Sequence, residues 1–531
     1  MLLCVASVDA WAQHDPGRNA VRLLADGKLD EAATEARKGQ RRQNSPLDNA
    51  EREFVFTMIA CKGGDVDAAL AHARAAVKLG LPFERLLAGP RDVLAPLYKS
   101  QAFGQWRQTQ KITRPLHGPL LGAVTDTSAR FWVRTASPAE VRIELAPVGD
   151  RDFSNAIRSE PVKTPARHDH TAVVSVADLH AATIYHYRVL VNDRPVNHSA
   201  MFKTRPTPDT PETHGAAGKY RIAFGGGAGY THAKERMWNT LADQKLDALL
   251  LLGDNVYIDH PESQITQRYC YYRRHSRPEW RNLVASVPVY SIYDDHDFAV
   301  NDCIPGPKID TPAWKREVWT VFKQNWNNPS YGGGEKQPGC WYNFHLGDVH
   351  FVMLDCRYYR DLKGGSMLGA VQKRWLFQTL RQNKSKATFT VIASSVPWSH
   401  DTKGGSKDTW DGYPEEREEI FAFVEAQRID GMILIAADRH RSDIWKTPRP
   451  NGYDLYEFQS SKLTNVHVHP IIKSTGKSRM LFGYNKTCSF GRIDFDTTRP
   501  DPLVTFTIID IEGREVHTMQ VASSQLSRSV N

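Results

Sequence analysis

The sequence predicts a multidomain protein in which α-helical repeats lead into a small β-sandwich and then into a larger α/β core. Three observations predict it. A helical motif near Gly27 recurs near Gly64, residues 129–189 alternate apolar and polar side chains with period two, and beyond residue 219 short apolar runs each end in a polar cluster. At 531 residues the chain exceeds a single hydrophobic core, since domains usually hold about 100–200 residues. With 41% hydrophobic and 24% charged residues, the composition is that of a globular chain and excludes wholesale disorder. The formal charge of +8 is spread thinly; it favours anionic substrates without establishing nucleic-acid binding. No apolar run reaches the roughly 18 residues a transmembrane helix needs, so none is expected.

Residues 1–13, MLLCVASVDAWAQ, read as a truncated signal peptide. The segment is apolar and ends in the small-x-small triplet Ala10-Trp11-Ala12, although it lacks a basic start. The localisation this implies is exported, periplasmic or extracellular; a frayed N-terminal helix is the alternative. Removing it leaves Cys61, Cys270, Cys303, Cys340, Cys356 and Cys488, an even set that an oxidising compartment permits to pair. None forms a CxxC, which argues against a zinc–thiolate site.

Residues 18–105 are expected to be helical. LLADGKLDEAATEA and CKGGDVDAALAHA place Gly, Asp and Ala at matching offsets, a pair that resembles tetratricopeptide helical hairpins. Alanines suit close helix packing and the glycines suit the turns. Such a region either packs on its neighbour or offers a protein partner a platform, and a plain helical spacer is the alternative. In 114–205, Ala129–Arg134, Val141–Leu145 and Tyr185–Val189 alternate as half-buried strands separated by turn-rich segments, which fits a fibronectin type III-like sandwich. No chemistry is apparent there. Residues 206–218 form a Pro/Gly-rich linker.

The core, 219–525, is expected to contain strands at Arg221–Phe224, Ala248–Leu252, Val289–Tyr293, Val349–Leu354, Thr388–Ala393 and Met432–Ala436. Ligand-binding groups gather at the carboxyl ends of such strands. Gly253-Asp254-Asn255-Val256-Tyr257 delivers a carboxylate and a phenol from one loop, or is simply a turn or a helix cap. Tyr293-Asp294-Asp295-His296-Asp297 sets three carboxylates around one histidine, which repel unless a cation or solvent neutralises them. Asp438 and His440, two apart on an extended segment, can reach one ion. In Leu354-Asp355-Cys356-Arg357-Tyr358-Tyr359-Arg360, a fixed guanidinium can fork onto phosphate oxygens or pair with Asp355 or Asp361.

GDNVY at 253–257, DDHD at 294–297, LDCRYYRD at 354–361 and DRH at 438–440 together resemble the alkaline phosphatase D family, over about 400 residues. The resemblance implies a calcineurin-like metallophosphoesterase core of two β-sheets flanked by helices. It also implies Asp254 as bridging ligand, Tyr257 and His440 on one metal, Asp295 and Asp438 on the other, and His296 as the catalytic histidine. Two metal ions, iron and calcium, are implied, with manganese or zinc as alternatives. One departure stands out: relatives commonly carry a cysteine ligand after the first strand, where this chain has Gly227 in Phe224-Gly225-Gly226-Gly227-Ala228-Gly229. Water completes the coordination, the metal differs, or the site is impaired; alternatively, the glycines let backbone amides approach a phosphate. Cys356 as a substitute ligand is the less natural reading, since it lies inside the arginine motif.

Such a ligand set implies metal-dependent hydrolysis of phosphate esters by a hydroxide generated on the metal pair. Arg357 is expected to neutralise phosphate charge and His296 to hydrogen-bond or protonate the leaving oxygen. His400 is a secondary ligand candidate, read first as a loop histidine. Two other readings stay open. One is a catalytically impaired, phosphatase-like scaffold. The other is an exported nuclease or phosphodiesterase, for which Arg268-Tyr269-Cys270-Tyr271-Tyr272-Arg273-Arg274-His275 would bind nucleic acid as substrate, unless that tract is a helix with a packed aromatic face.

Overall fold

The computed structural model describes residues 15–38, 48–112, 115–196, 200–208, 215–472 and 476–528. The segment 1–13 lies outside them. Among the described residues, helices run from Pro16–Ala25 to Gln101–Gln108 before the first strand. Gly27 and Gly64 sit at φ 79° and 84° in the turns between paired helices. A Cβ at either would meet nothing, so the left-handed backbone alone calls for glycine. The small residues Ala20, Ala32, Ala36, Ala69, Ala73 and Ala76 are fully buried in the seams of these pairs.

This helical part packs on the core rather than standing apart. Asp15, whose carboxylate caps Pro16–Ala25 through the amide of Arg18, also receives Arg273 of the core helix Gln264–His275. Two sheets form the sandwich: His117–Gly122, Ala129–Arg134 and Thr171–Val176 face a second sheet built on Glu140–Pro147 and Ile184–Val191. Its anchors to the core are the Trp132 indole donating to the Gln324 carbonyl at 3.0 Å and the Tyr187 hydroxyl donating to the Ala285 carbonyl at 2.7 Å.

The core is a pair of mixed sheets with helices outside. One sheet runs Val289–Ile292, Ala248–Leu252, Lys219–Gly225, Ser489–Asp496, Leu503–Asp510, Glu515–Ala522, its first three strands parallel. The other runs Tyr342–Leu346, Val349–Met353, Phe389–Ala393, Met432–Ala436, Leu455–Gln459, Ser442–Thr447, Arg479–Tyr484, with four parallel strands in its middle. Aromatic rings close the space between the sheets: Phe458 stacks on Phe506 at 4.4 Å and Tyr290 on Phe344 at 3.7 Å. Ala248–Leu252, apolar at every position, is buried at every position, as a strand covered on both faces must be. Gly226, just past the first sheet, bridges to Ser461, just past the second, so the carboxyl ends of both sheets converge on one place.

The basic aromatic tract lies within the helix Gln264–His275. Tyr269, Tyr271 and Tyr272 are buried, Arg273 is spent on Asp15 and Arg274 on Glu235. It therefore presents no stacking face to a nucleic acid. All six cysteines among the described residues are unpaired thiols, so none of the permitted disulfides forms here.

Candidate metal centre

Two loops at adjacent strand ends are knitted together by Asp297. Its carboxylate accepts from the amides of Asn255 and Val256, both at 2.9 Å, while the Asn255 side chain donates to the Ile292 carbonyl at 2.8 Å. The amide of Ile258 closes the junction on the His296 carbonyl at 2.7 Å. Gly253 turns at φ 101° with its missing Cβ only 2.4 Å from Asp294, where no side chain fits. Asp254 and Tyr257 both sit at φ 55°, Asp259 at 47°, Asp438 at 63° and His440 at 47°. Left-handed backbone at non-glycine residues costs of order 1–3 kcal/mol each and gathers at functional sites.

This backbone brings Asp254, Tyr257 and His440 together. The Tyr257 hydroxyl lies 2.9 Å from Asp254 Oδ2 and 2.9 Å from His440 Nε2, and those two atoms are 4.0 Å apart. Asp254, Asp295 and His296 each offer one atom within 4.8 Å of the others, all three residues buried. Asp254 Oδ1 and His440 Nδ1 are buried with no hydrogen-bond partner among the described residues. Buried polar atoms without a protein partner are open to a water or an ion. The His296 ring stacks on Tyr257 at 4.5 Å, and its Nδ1 pairs with Asp259, a residue the sequence reading passed over. Asp259 is itself held by Arg22 at 2.8 Å and Arg18 at 3.3 Å. Asp438 stands outside both convergent groups among the described residues, with Arg439 3.3 Å from its carboxylate.

Burial and the neighbouring carboxylates push the Asp254 carboxyl well above its usual range. Burial also raises Asp294, to about 7, against the pull of Arg357. Burial works against charge on His296, yet Asp259, Asp295 and Asp254 raise it well above 6.5 and favour its imidazolium. His440 is driven the other way by burial and by His467 and His469, and remains a neutral imidazole. Carboxyl groups crowded and buried so that their charge is disfavoured, beside one neutral histidine, make an environment in which a cation would favour the charged form.

Arg357 is fully buried inside this network. Its Nε holds Asp294, its Nη1 donates to Asp408 at 2.6 Å, and its Nη2 lies 3.6 Å from Asp295. Arg360 donates to the same Asp408 oxygen at 2.6 Å, and Lys403 is 3.1 Å from Asp302. The cluster Asp295–Asp302–Asp408 is thus already compensated by three cations of the chain. Cys356 points to the Ser394 hydroxyl at 3.3 Å, and His400 accepts from Arg417 at 2.6 Å; neither joins the convergent groups.

The glycine-rich loop is packed, not open. The amides of Gly226, Gly227 and Ala228 donate to the carbonyls of Ser460, Gly253 and Asp254, so they are not directed at a phosphate. Gly227, at φ 67°, has Ser461 Oγ 2.8 Å from where a Cβ would stand. Segment 461–465 fills that space and carries in behind it His467 and His469, which join His440 in a third group with one nitrogen each within 4.8 Å. The signal for them in the sequence was Asn465-Val466-His467-Val468-His469, an alternation that turns both imidazoles to one side.

A family profile described as PhoD-like phosphatase matches residues 222–498, and one described as a domain of unknown function (DUF7800) matches 113–209. Alkaline phosphatase D of Bacillus subtilis (strain 168) is 23% identical over 363 residues, which cover 59% of this chain. The chain spans about 60% of the length of that curated relative. A solved structure titled "Structure of PhoD" superposes with a TM-score of 0.58 at 19% identity, over 75% of this chain and 91% of that one. It shares the multidomain α/β fold. The strand-end motifs, the paired sheets that present them and a profile match over more than half the chain lead to one conclusion: this protein belongs to the PhoD-like phosphatase family.

Proposed function

We propose that the chain hydrolyses phosphate esters at a centre of two metal ions held by Asp254, Tyr257, His440 and Asp295, with Asp438 closing the second position. The observation that carries this reading is the triangle of Asp254, Tyr257 and His440. The Tyr257 hydroxyl stands 2.9 Å from Asp254 Oδ2 and 2.9 Å from His440 Nε2, themselves 4.0 Å apart, so three donor atoms from two strand ends are gathered where one cation could be held. The cations, iron and calcium or a pair such as manganese or zinc, would supply Lewis-acid activation of water and neutralise charge at phosphorus.

The chain's own residues do the rest. His296, kept as an imidazolium by Asp259, donates a proton to the leaving oxygen. Arg357 does not meet phosphate in this reading; with Nε on Asp294, Nη1 on Asp408 and Nη2 3.6 Å from Asp295, it fixes this carboxylate network. Asp259 and Arg22 orient His296 from behind. The helices are read as tetratricopeptide-like and the sandwich as fibronectin type III-like, and export through residues 1–13 is part of the same proposal.

The test is hydrolysis of p-nitrophenyl phosphate and bis-p-nitrophenyl phosphate by purified protein, with metal analysis, beside Asp254→Asn. Metal-dependent turnover that disappears in the variant is expected, and the two substrates rank monoester against diester. Absence of turnover with iron, calcium, manganese and zinc would leave a binding protein on this fold.

A further inference from the structure

We propose that His440, His467 and His469 form a separate metal position beside the carboxylate centre, one that takes a zinc-class divalent transition metal. His467 Nε2 and His469 Nε2 lie 3.2 Å apart, where in the absence of an ion one ring donates a hydrogen bond to the other. Two ligands on a tetrahedral ion at about 2.0–2.1 Å are separated by about 3.3 Å. His440 completes the group, its ring centroid 4.9 Å from that of His467 and 5.6 Å from that of His469. Neither Asp254 nor Asp295 belongs to this cluster, so the position is distinct from theirs and shares only His440. The buried Nδ1 of His440 has no hydrogen-bond partner among the described residues, so the ring can serve both positions once its N–H proton has passed to solvent on metal binding.

The fold builds this position in advance. The amide of Leu463 donates to the Gly226 carbonyl at 3.0 Å and that of Asn465 to the Gly227 carbonyl at 3.1 Å, which fastens the incoming segment to the glycine loop. The Asn465 side chain then accepts from the His467 amide at 2.9 Å, Asn485 donates to the His469 carbonyl at 2.9 Å, and Arg441 donates to the Pro470 carbonyl at 3.3 Å. Val466 and Val468, on the opposite face of the alternation, are 45% and 42% exposed, while His467 is 7% exposed. His467 is buried and His469 half-buried while the valines between and before them face out, and a buried imidazole needs a polar partner inside.

Chemistry selects the ion. Three imidazoles suit zinc, copper, iron and nickel, with cobalt as a spectroscopic probe of the same class, whereas calcium takes oxygen ligands. Three protein ligands also leave a fourth position for water or a phosphate oxygen. The glycine at 227 is thus tied to a gain: the space that a side chain would occupy admits the segment that delivers His467 and His469. The inference rests on the proposed centre only through His440.

The experiment is titration of the metal-free full chain with Co²⁺, following visible d–d absorption and equivalents bound, for wild type, a His467→Gln/His469→Gln variant and Asp254→Asn. A histidine-rich tetrahedral spectrum is expected in wild type and in Asp254→Asn. In the double variant it should weaken by at least about 100-fold in affinity, beyond what loss of an outer-shell partner costs, with circular dichroism unchanged. An unaltered spectrum in the double variant overturns the proposal, and loss of it in Asp254→Asn overturns the separateness of the two positions. Pulsed EPR of Cu²⁺ on the unmodified protein gives an answer independent of variant folding: three coupled imidazoles are expected, and one or none refutes the site. Survival of this signal in a protein without phosphoesterase turnover would sink the proposed function alone.

Discussion

Arg22, on the helix Pro16–Ala25, donates to one oxygen of Asp259 at 2.8 Å, and the other oxygen of that carboxylate holds Nδ1 of His296. The helical region thereby reaches to within two side chains of the proposed proton donor. An accessory segment acts here as part of the frame of the site.

Asp259→Asn is expected to lower kcat by about 10- to 100-fold, the usual cost of losing a partner that orients a functional histidine. Arg22→Ala should cost about 10-fold and Arg22→Lys less, with KM moving far less than kcat in all three. Steady-state kinetics and metal analysis check this; wild-type kcat in Asp259→Asn would remove the pair from the mechanism.

Arg357→Ala is expected to act on stability before chemistry. It would strip Asp294 and Asp408 of a shared, fully buried partner, and breaking one side of a buried ion pair costs about 3–5 kcal/mol. Urea unfolding should show the loss without added substrate. A stable variant with only a raised KM would instead return Arg357 to the phosphate.

Much of the core was legible because its signals are local. Ala248–Leu252 and Met432–Ala436 are uninterrupted apolar runs, and the structure places strands at those residues. The motifs at Asp254, Asp295 and His440 follow such strands directly. What stayed hidden depends on contacts distant in sequence. Nothing near Asp259 reports that Arg18 and Arg22, more than 200 positions away, will neutralise it. Arg357 looked available because its three carboxylate neighbours come from two other segments. The helix Gln264–His275 displayed its cations in sequence but spends them inside the fold.

The junction of helical region and core should respond to pH through Asp48. Its carboxylate caps the helix Asn49–Gly63 and meets the Tyr230 hydroxyl at 3.1 Å and His232 at 3.0 Å. Burial opposes the charge, yet hydrogen bonds from His232, the Glu51 amide and Tyr230 bring its pKa from 3.8 to about 2. A depressed carboxyl stabilises above its unfolded value and loses that contribution as pH falls through the folded one. His232, raised by Asp48, contributes below 6.5 and loses its share as pH rises through its folded value. The pair is therefore strongest between those two unfolded values. Asp48→Asn should cost about 2 kcal/mol at neutral pH, a gap that closes as pH falls below 3.8 toward about 2. Hydrogen exchange in Asn49–Gly63 is the readout, and a gap that persists at low pH would assign the loss to another cause.

Gly227→Cys is the substitution that would supply the thiol ligand the family resemblance leads one to expect, and here it is expected to fail. The position has φ 67°, and its Cβ would stand 2.8 Å from Ser461 Oγ. The backbone conformation alone costs of order 1–3 kcal/mol for a non-glycine residue. Ser461→Ala beside it relieves the collision but not the φ, so the double variant should recover only part of the loss in urea unfolding. Because the amides of Thr464 and Asn465 hang on the Gly227 carbonyl, moving residue 227 also shifts the segment that carries His467 and His469. The Co²⁺ spectrum assigned to the three histidines should therefore weaken in Gly227→Cys even though a thiol has been added. A cysteine variant that is as stable as wild type and shows new thiolate-to-metal charge transfer would mean that residue 227 faces the metal directly and that the packing of 461–465 yields to it.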